Sequence, residues 1–125
     1  MSGASPLQVH DAAAIAARLT GPLRHWRHQD GCLVRIYRTG GWKGTLMVVN
    51  AIGHLAEAAW HHPEIRATYA AVEVRLDTHD AAGVTDRDFE LAQRIEDFVH
   101  WRPAASGALE GTPSDAAHLY IQYED

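Results

Sequence analysis

Between Ala70 and His79 the chain alternates: Val72, Val74 and Leu76 fall on one side, and Glu73, Arg75, Asp77 and His79 on the other. Successive side chains of an extended strand point to opposite faces, so this stretch reads as a strand with one face on a core and one toward water. The apolar face needs a cover, and two flanking segments have the right period. Leu46, Val49, Ile52, Leu55/Ala56 and Ala59 recur every three or four residues, the spacing of a helix with one broad buried face. Gly53 inside that helix costs about 1 kcal/mol relative to Ala, which predicts close packing at that point. Pro63 closes the helix, because the residue before a proline is pushed out of the α region, and His61-His62 are left at its end. Beyond the strand, Thr85 caps a second amphipathic helix through Phe89, Ala92, Ile95, Phe98 and Val99.

Shorter elements complete the outline. Residues 1–10 are mostly small or polar and are expected to fray. Asp11 caps a short helix from Ala12 to Leu19, which Thr20-Gly21-Pro22 ends. Asp30-Gly31 is a type I′ turn dipeptide and predicts a hairpin between Arg24–Gln29 and Cys32–Arg38. After Trp101, residues 103–113 lack periodicity and read as a linker. In His118–Tyr123, Leu119, Ile121 and Tyr123 alternate with His118, Tyr120 and Gln122, which predicts a late strand seeking an edge. Helices layered over an antiparallel sheet, an α+β fold, follow from this order. Residues 1–100 form the expected domain, and residues 101–125 a linker and C-terminal extension.

Composition removes several functions. The 125 residues suit one domain, and 46% hydrophobic with 22% charged is a globular balance. The net charge of −5 comes with ten arginines and one lysine spread along the chain, so no basic block points to nucleic acid. No apolar run approaches the ~20 residues of a membrane span. The opening Ser2-Gly3-Ala4-Ser5 lacks the basic start and apolar stretch of a secretory signal, and a cytoplasmic setting is expected. Cys32 is the one cysteine, with no partner for a disulfide or a cysteine zinc site and no base placed beside it for nucleophilic work.

Nine histidines remain to be explained. His61, His62 and His79 stand at the ends of rigid elements, where side chains are held yet reach solvent. Glu57 lies one helical turn before His61 and can face its imidazole. Asp88, three residues after Thr85, fits a capping box without any catalytic role. His54 reads as a surface or packing residue, and His10, His25, His28, His100 and His118 have no partner pattern. Adjacent histidines rarely direct both rings at one ion, and no His-Glu-x-x-His or cysteine pair is present, so acid–base chemistry without a metal is the expectation.

The spacing as a whole is specific: Glu57-x3-His61-His62-Pro63, then Tyr69, then Thr78-His79, then Asp88. With the hairpin and the long helix before it, this pattern resembles the pterin-4a-carbinolamine dehydratase family from about Leu19 to Val99. The resemblance implies helices over one face of a four-stranded antiparallel sheet. It also implies dimers joined edge to edge, often paired into tetramers through helices, so a homodimer or homotetramer is expected. The implied reaction removes water from a 4a-hydroxytetrahydropterin to give quinonoid dihydropterin, with no cofactor or metal. His61, His62 and His79 take the family's active-site histidine positions, His62 as principal acid–base group. Glu57, Trp60, Pro63, Thr78 and Asp88 are the expected substrate-binding and orienting residues.

Two positions depart from the family pattern. Residue 60, commonly small and polar or acidic, is Trp60; residue 65, often aromatic, is Ile65. An indole at the lip of the pocket can stack on a flat pterin, narrow the site or contact a protein. The extension after Trp101 lies beyond the family's usual end. A second reading follows: a dehydratase-like protein acting through protein contacts, as in RuBisCO and α-carboxysome assembly or as a transcription-factor dimerisation cofactor.

Overall fold

The computed structural model describes residues 7–115 and 117–124. Among these the chain forms helices α1 (Ala12–Arg18), α2 (Trp42–Ala59) and α3 (Asp86–Val99) and strands β1 (Arg27–Gln29), β2 (Cys32–Arg38), β3 (Glu64–Thr68) and β4 (Ala71–Leu76). The strands make one antiparallel sheet in the order β1-β2-β4-β3, the α+β architecture expected. Asp30 and Gly31 both take positive φ, 52° and 76°, as the type I′ turn between β1 and β2 requires. In register, Leu33 faces Leu76 and Tyr37 faces Val72, so every second residue of β2 and β4 meets the helices. Leu33, Tyr37, Val72, Val74 and Leu76 pack with Val48 and Ile52 of α2 and Phe89, Ala92 and Ile95 of α3 to form the core.

Several local expectations change. Helix α2 buries Gly44, Thr45, Val48, Ile52 and Ala56, while Leu46 is 42% exposed and Ala59 is also exposed. Apolar residues occupy more than one side of this helix, so their recurrence alone could not fix its phase. Among the described residues a Cβ on Gly53 would meet nothing within 4 Å, so no close packing among them explains that glycine. Phe98 of α3 is 56% exposed, although Phe89, Ala92, Ile95 and Val99 are buried as expected. Strand β3 is an element that the residue pattern does not predict: Glu64-Ile65-Arg66-Ala67-Thr68 is an edge strand exposed along most of its length.

The extension does not form the expected strand. One bridge, Thr39 to Ile121, joins it to the end of β2, and Ile121 is fully buried. The Gly40 amide donates to the Tyr120 carbonyl at 3.2 Å, and the Gln122 amide to the Arg38 carbonyl at 2.8 Å. A tail crossing the sheet end at one point replaces a ladder along an edge. At the other terminus residues 1–6 lie outside the described residues, and His10 is tied rather than frayed: its amide donates to the Val84 carbonyl at 2.9 Å.

Candidate functional site

Helix α2 ends on Trp60, whose φ of 54° and ψ of 46° are left-handed. The His61 amide reaches back to the Ala56 carbonyl at 3.0 Å, and the Trp60 amide to Glu57 at 3.2 Å, satisfying the last carbonyls of the helix. This reversal throws the two following histidines out of helical phase and in different directions.

His61 turns toward α3. Its Nε2 lies 2.6 Å from Asp88 Oδ1, with the imidazole 13% exposed and the carboxylate fully buried. His62 turns back along α2, placing Nε2 2.9 Å from Glu57 Oε1, with both side chains about half exposed or more. Glu57 therefore faces His62 and not His61, against the helical-turn expectation, because the left-handed residue at position 60 breaks the register on which that expectation depends. The Trp60 ring stands edge-on to His62, centroids 5.0 Å apart. Trp60 is 75% exposed and Pro63 half-buried.

Asp88 performs two tasks that its sequence position presented as alternatives. It is the third residue of α3, where Oδ2 accepts the Thr85 amide at 2.8 Å and completes the capping box. The opposite oxygen holds His61. Burial of this carboxylate is offset by donors and by the N-terminal end of a helix.

Thr78 follows β4, and His79 opens the short 3-10 turn His79–Ala81. The Thr78 hydroxyl is buried and donates to Asp88 Oδ2 at 2.8 Å, whereas His79 is exposed. Among the described residues no hydrogen bond or ring contact joins His79 to His61 or His62. At this end of α2 the structure thus assembles two histidine–carboxylate pairs and links one of them, His61–Asp88, through Asp88 to the residue preceding His79. Thr85 is the member of this cluster that sequence reading assigned to capping alone; its seven-residue separation from Thr78 across a turn carries no recognisable spacing.

A cleft of about 840 Å³ adjoins this end of α2, walled by Leu55, Trp60, His61, Arg87, Leu91 and Arg94. A second, apolar groove of about 780 Å³, between α2, the end of α3 and the tail, includes none of the site histidines. Burial raises the Cys32 thiol, assisted by Asp77, which leaves it a poor nucleophile. Among the described residues no three His, Cys, Asp or Glu side chains converge as metal ligands would.

Comparison with known proteins bears on this geometry. Residues 8–98 match the family described as Pterin 4 alpha carbinolamine dehydratase. The chain belongs to that family. A relative from Aquifex aeolicus (strain VF5), named "Putative pterin-4-alpha-carbinolamine dehydratase", is 43% identical over 77 residues, 62% of this chain and 78% of the relative. One of the same name from Thermomicrobium roseum is 38% identical over 89 residues, 71% of this chain and 95% of the relative. In fold, the chain is similar to the crystal structure of a transcriptional coactivator/pterin dehydratase from Brucella melitensis, with a TM-score of 0.63 and 24% identity over 70% of this chain and 95% of that one. The family match ends at residue 98, so the tail lies outside it. No helix among the described residues is long and apolar enough to cross a membrane.

Proposed function

We propose that this chain dehydrates a 4a-hydroxytetrahydropterin to the quinonoid dihydropterin by histidine acid–base catalysis. The observation that supports it is the pair of adjacent imidazoles, each hydrogen-bonded to its own carboxylate but in unlike surroundings. In the reaction the C4a–O bond breaks, the departing oxygen takes a proton and leaves as water, and N5 gives up its proton as the C4a=N5 bond forms. One group must donate and another accept, and imidazole is the side chain suited to both tasks close to neutrality.

His62, exposed and backed by Glu57, is the principal acid–base group in this reading. His61 offers the nitrogen not engaged by Asp88, and His79 contacts the pterin from the turn after β4. The indole of Trp60 and the ring of Pro63 flank the flat heterocycle. Purified chain is tested for dehydration of a 4a-hydroxytetrahydropterin beside its His62→Ala variant. Turnover lowered about 10²–10⁴-fold in the variant is expected. A parent chain no faster than the uncatalysed reaction overturns the reading. The 75% exposure of Trp60 favours a partner-binding role as the second reading, and that role predicts the inactive outcome.

A further inference from the structure

Behind the His61–Asp88 pair stand two buried hydroxyls that capping alone does not explain. Thr78 Oγ1 is 2.8 Å from Asp88 Oδ2 and 2.6 Å from Thr85 Oγ1. Thr78 is 2% exposed, and Thr85 and Asp88 are fully buried. The proton directions follow from what each atom can give. A carboxylate oxygen only accepts, so Thr78 spends its one hydroxyl proton on Asp88. It then has only lone pairs to offer Thr85, so the Thr85 hydroxyl donates to Thr78 while accepting the Arg87 amide at 3.3 Å. Asp88 Oδ2 also takes the Thr85 amide at 2.8 Å. Both of these donors fall on Oδ2, which leaves Oδ1 for His61.

The backbone of Thr78 is fixed as well. Its amide donates to the Gly83 carbonyl at 2.8 Å, closing the turn that begins with His79. One residue therefore touches both the carboxylate that holds the first histidine and the turn that carries the third.

We propose that Thr78 is a positioning residue: its hydroxyl locks Asp88 so that His61 keeps its proton on Nε2 and presents Nδ1 to the substrate, and its place in the turn sets His79 in register with the end of α2. The consequence for turnover rests on the dehydratase reading, whereas the lock on the His61 tautomer does not. The test records the ring-nitrogen NMR signals of His61, together with kcat and KM for dehydration, in Thr78→Ala, Thr78→Val and Thr78→Ser. At alkaline pH the parent chain is expected to show a single Nε2–H tautomer at His61. In the Ala and Val variants both tautomers appear and kcat falls about tenfold, with KM changed less than twofold; Ser, which keeps the hydroxyl, restores both. A folded Ala or Val variant with the parent tautomer overturns the proposal, as does an altered tautomer with the parent kcat. Loss of the fold in both would make Thr78 a structural residue and overturn it too. If the parent chain does not dehydrate pterin, the tautomer measurement still decides, so the two readings fail separately.

Discussion

The Glu124 amide donates to Nε2 of His100 at 3.1 Å, so the tail is held by a nitrogen that accepts only while the imidazole is neutral. The surrounding charges are close. Arg35 Nη1 is 2.8 Å from Glu124 Oε1, His25 Nδ1 is 3.6 Å from Glu124 Oε2, and His100 Nδ1 is 3.4 Å from Glu96 Oε2. The rings of Tyr37 and Tyr123 flank the imidazole. Burial holds His100 below the ordinary histidine range, with Arg35 adding to the effect and Glu96 and Glu124 opposing it.

A group whose folded-state pKa is lowered in this way favours docking while neutral. Its contribution is whole above the ordinary value near 6.5 and is lost as pH falls below that through the docked value. Amide exchange at Glu124, corrected for its intrinsic rate, is expected to speed up between pH 7.5 and pH 5. In His100→Gln, whose side-chain oxygen accepts without titrating, the dependence disappears. Protection that persists unchanged at pH 5 in the parent chain would end this account.

Glu96 supports a different prediction. Its carboxylate accepts the Trp26 indole N–H at 2.9 Å, the Tyr37 hydroxyl at 2.8 Å and Arg35 Nε at 2.9 Å, all in buried positions. Burial alone would raise its carboxyl, but the bonds from Arg35, Tyr37 and Trp26 outweigh that and hold it below the usual range. Glu96→Ala leaves the Arg35 guanidinium, 1% exposed, with the half-exposed Glu124 as its remaining carboxylate. A loss of about 3–5 kcal/mol in urea unfolding is expected, the cost of breaking a buried pair from one side. A loss under about 1 kcal/mol would show that the tail or solvent reorganises to serve Arg35.

This network marks where the sequence was legible and where it was not. The Val72/Val74/Leu76 alternation, the Asp30-Gly31 turn and the Thr85-x-x-Asp88 box each depend on residues close in the chain, and each is found where expected. Arg35 interrupts the apolar face of β2, and its partner Glu96 lies 61 residues away, so no local pattern marks the pair. The site divides the same way. His61, His62 and Asp88 could be named from spacing, but the choice of Glu57 as partner of His62 was set by the left-handed conformation at Trp60, which sequence spacing does not encode. Strand β3 carries no local signal, because an exposed edge strand with one half-buried aliphatic residue, Ile65, has almost no hydrophobic pattern to read.

The tail's seat on α2 predicts an unusual sensitivity at two glycines. A Cβ on Gly40 would stand 1.7 Å from the Leu119 carbonyl oxygen, and one on Gly44 would stand 2.2 Å from that of Tyr120. Both obstacles are backbone atoms of the tail, so a side-chain rotation cannot relieve them. Gly40→Ala and Gly44→Ala are therefore expected to displace residues 119–122 while leaving the sheet and helices in place. Limited proteolysis should then cut the tail in both variants faster than in the parent chain, with the helical circular dichroism little changed. Equal resistance to cleavage in all three proteins would contradict this packing.

Gly53 predicts the opposite sign. It lies in α2 with open space where a Cβ would stand, so the substitution Gly53→Ala meets no obstacle among the described residues of one chain. Alanine restricts the unfolded backbone and favours the helix, so the isolated chain should gain about 0.5–1 kcal/mol in urea unfolding. If copies of the chain pair through α2, a methyl at this position would meet the neighbouring helix. Sedimentation velocity measured beside the unfolding curve separates the two cases. A stabilised variant with the parent's sedimentation coefficient leaves Gly53 facing solvent. A variant that sediments more slowly, and whose stability falls with dilution, assigns the glycine to a helix–helix contact between copies.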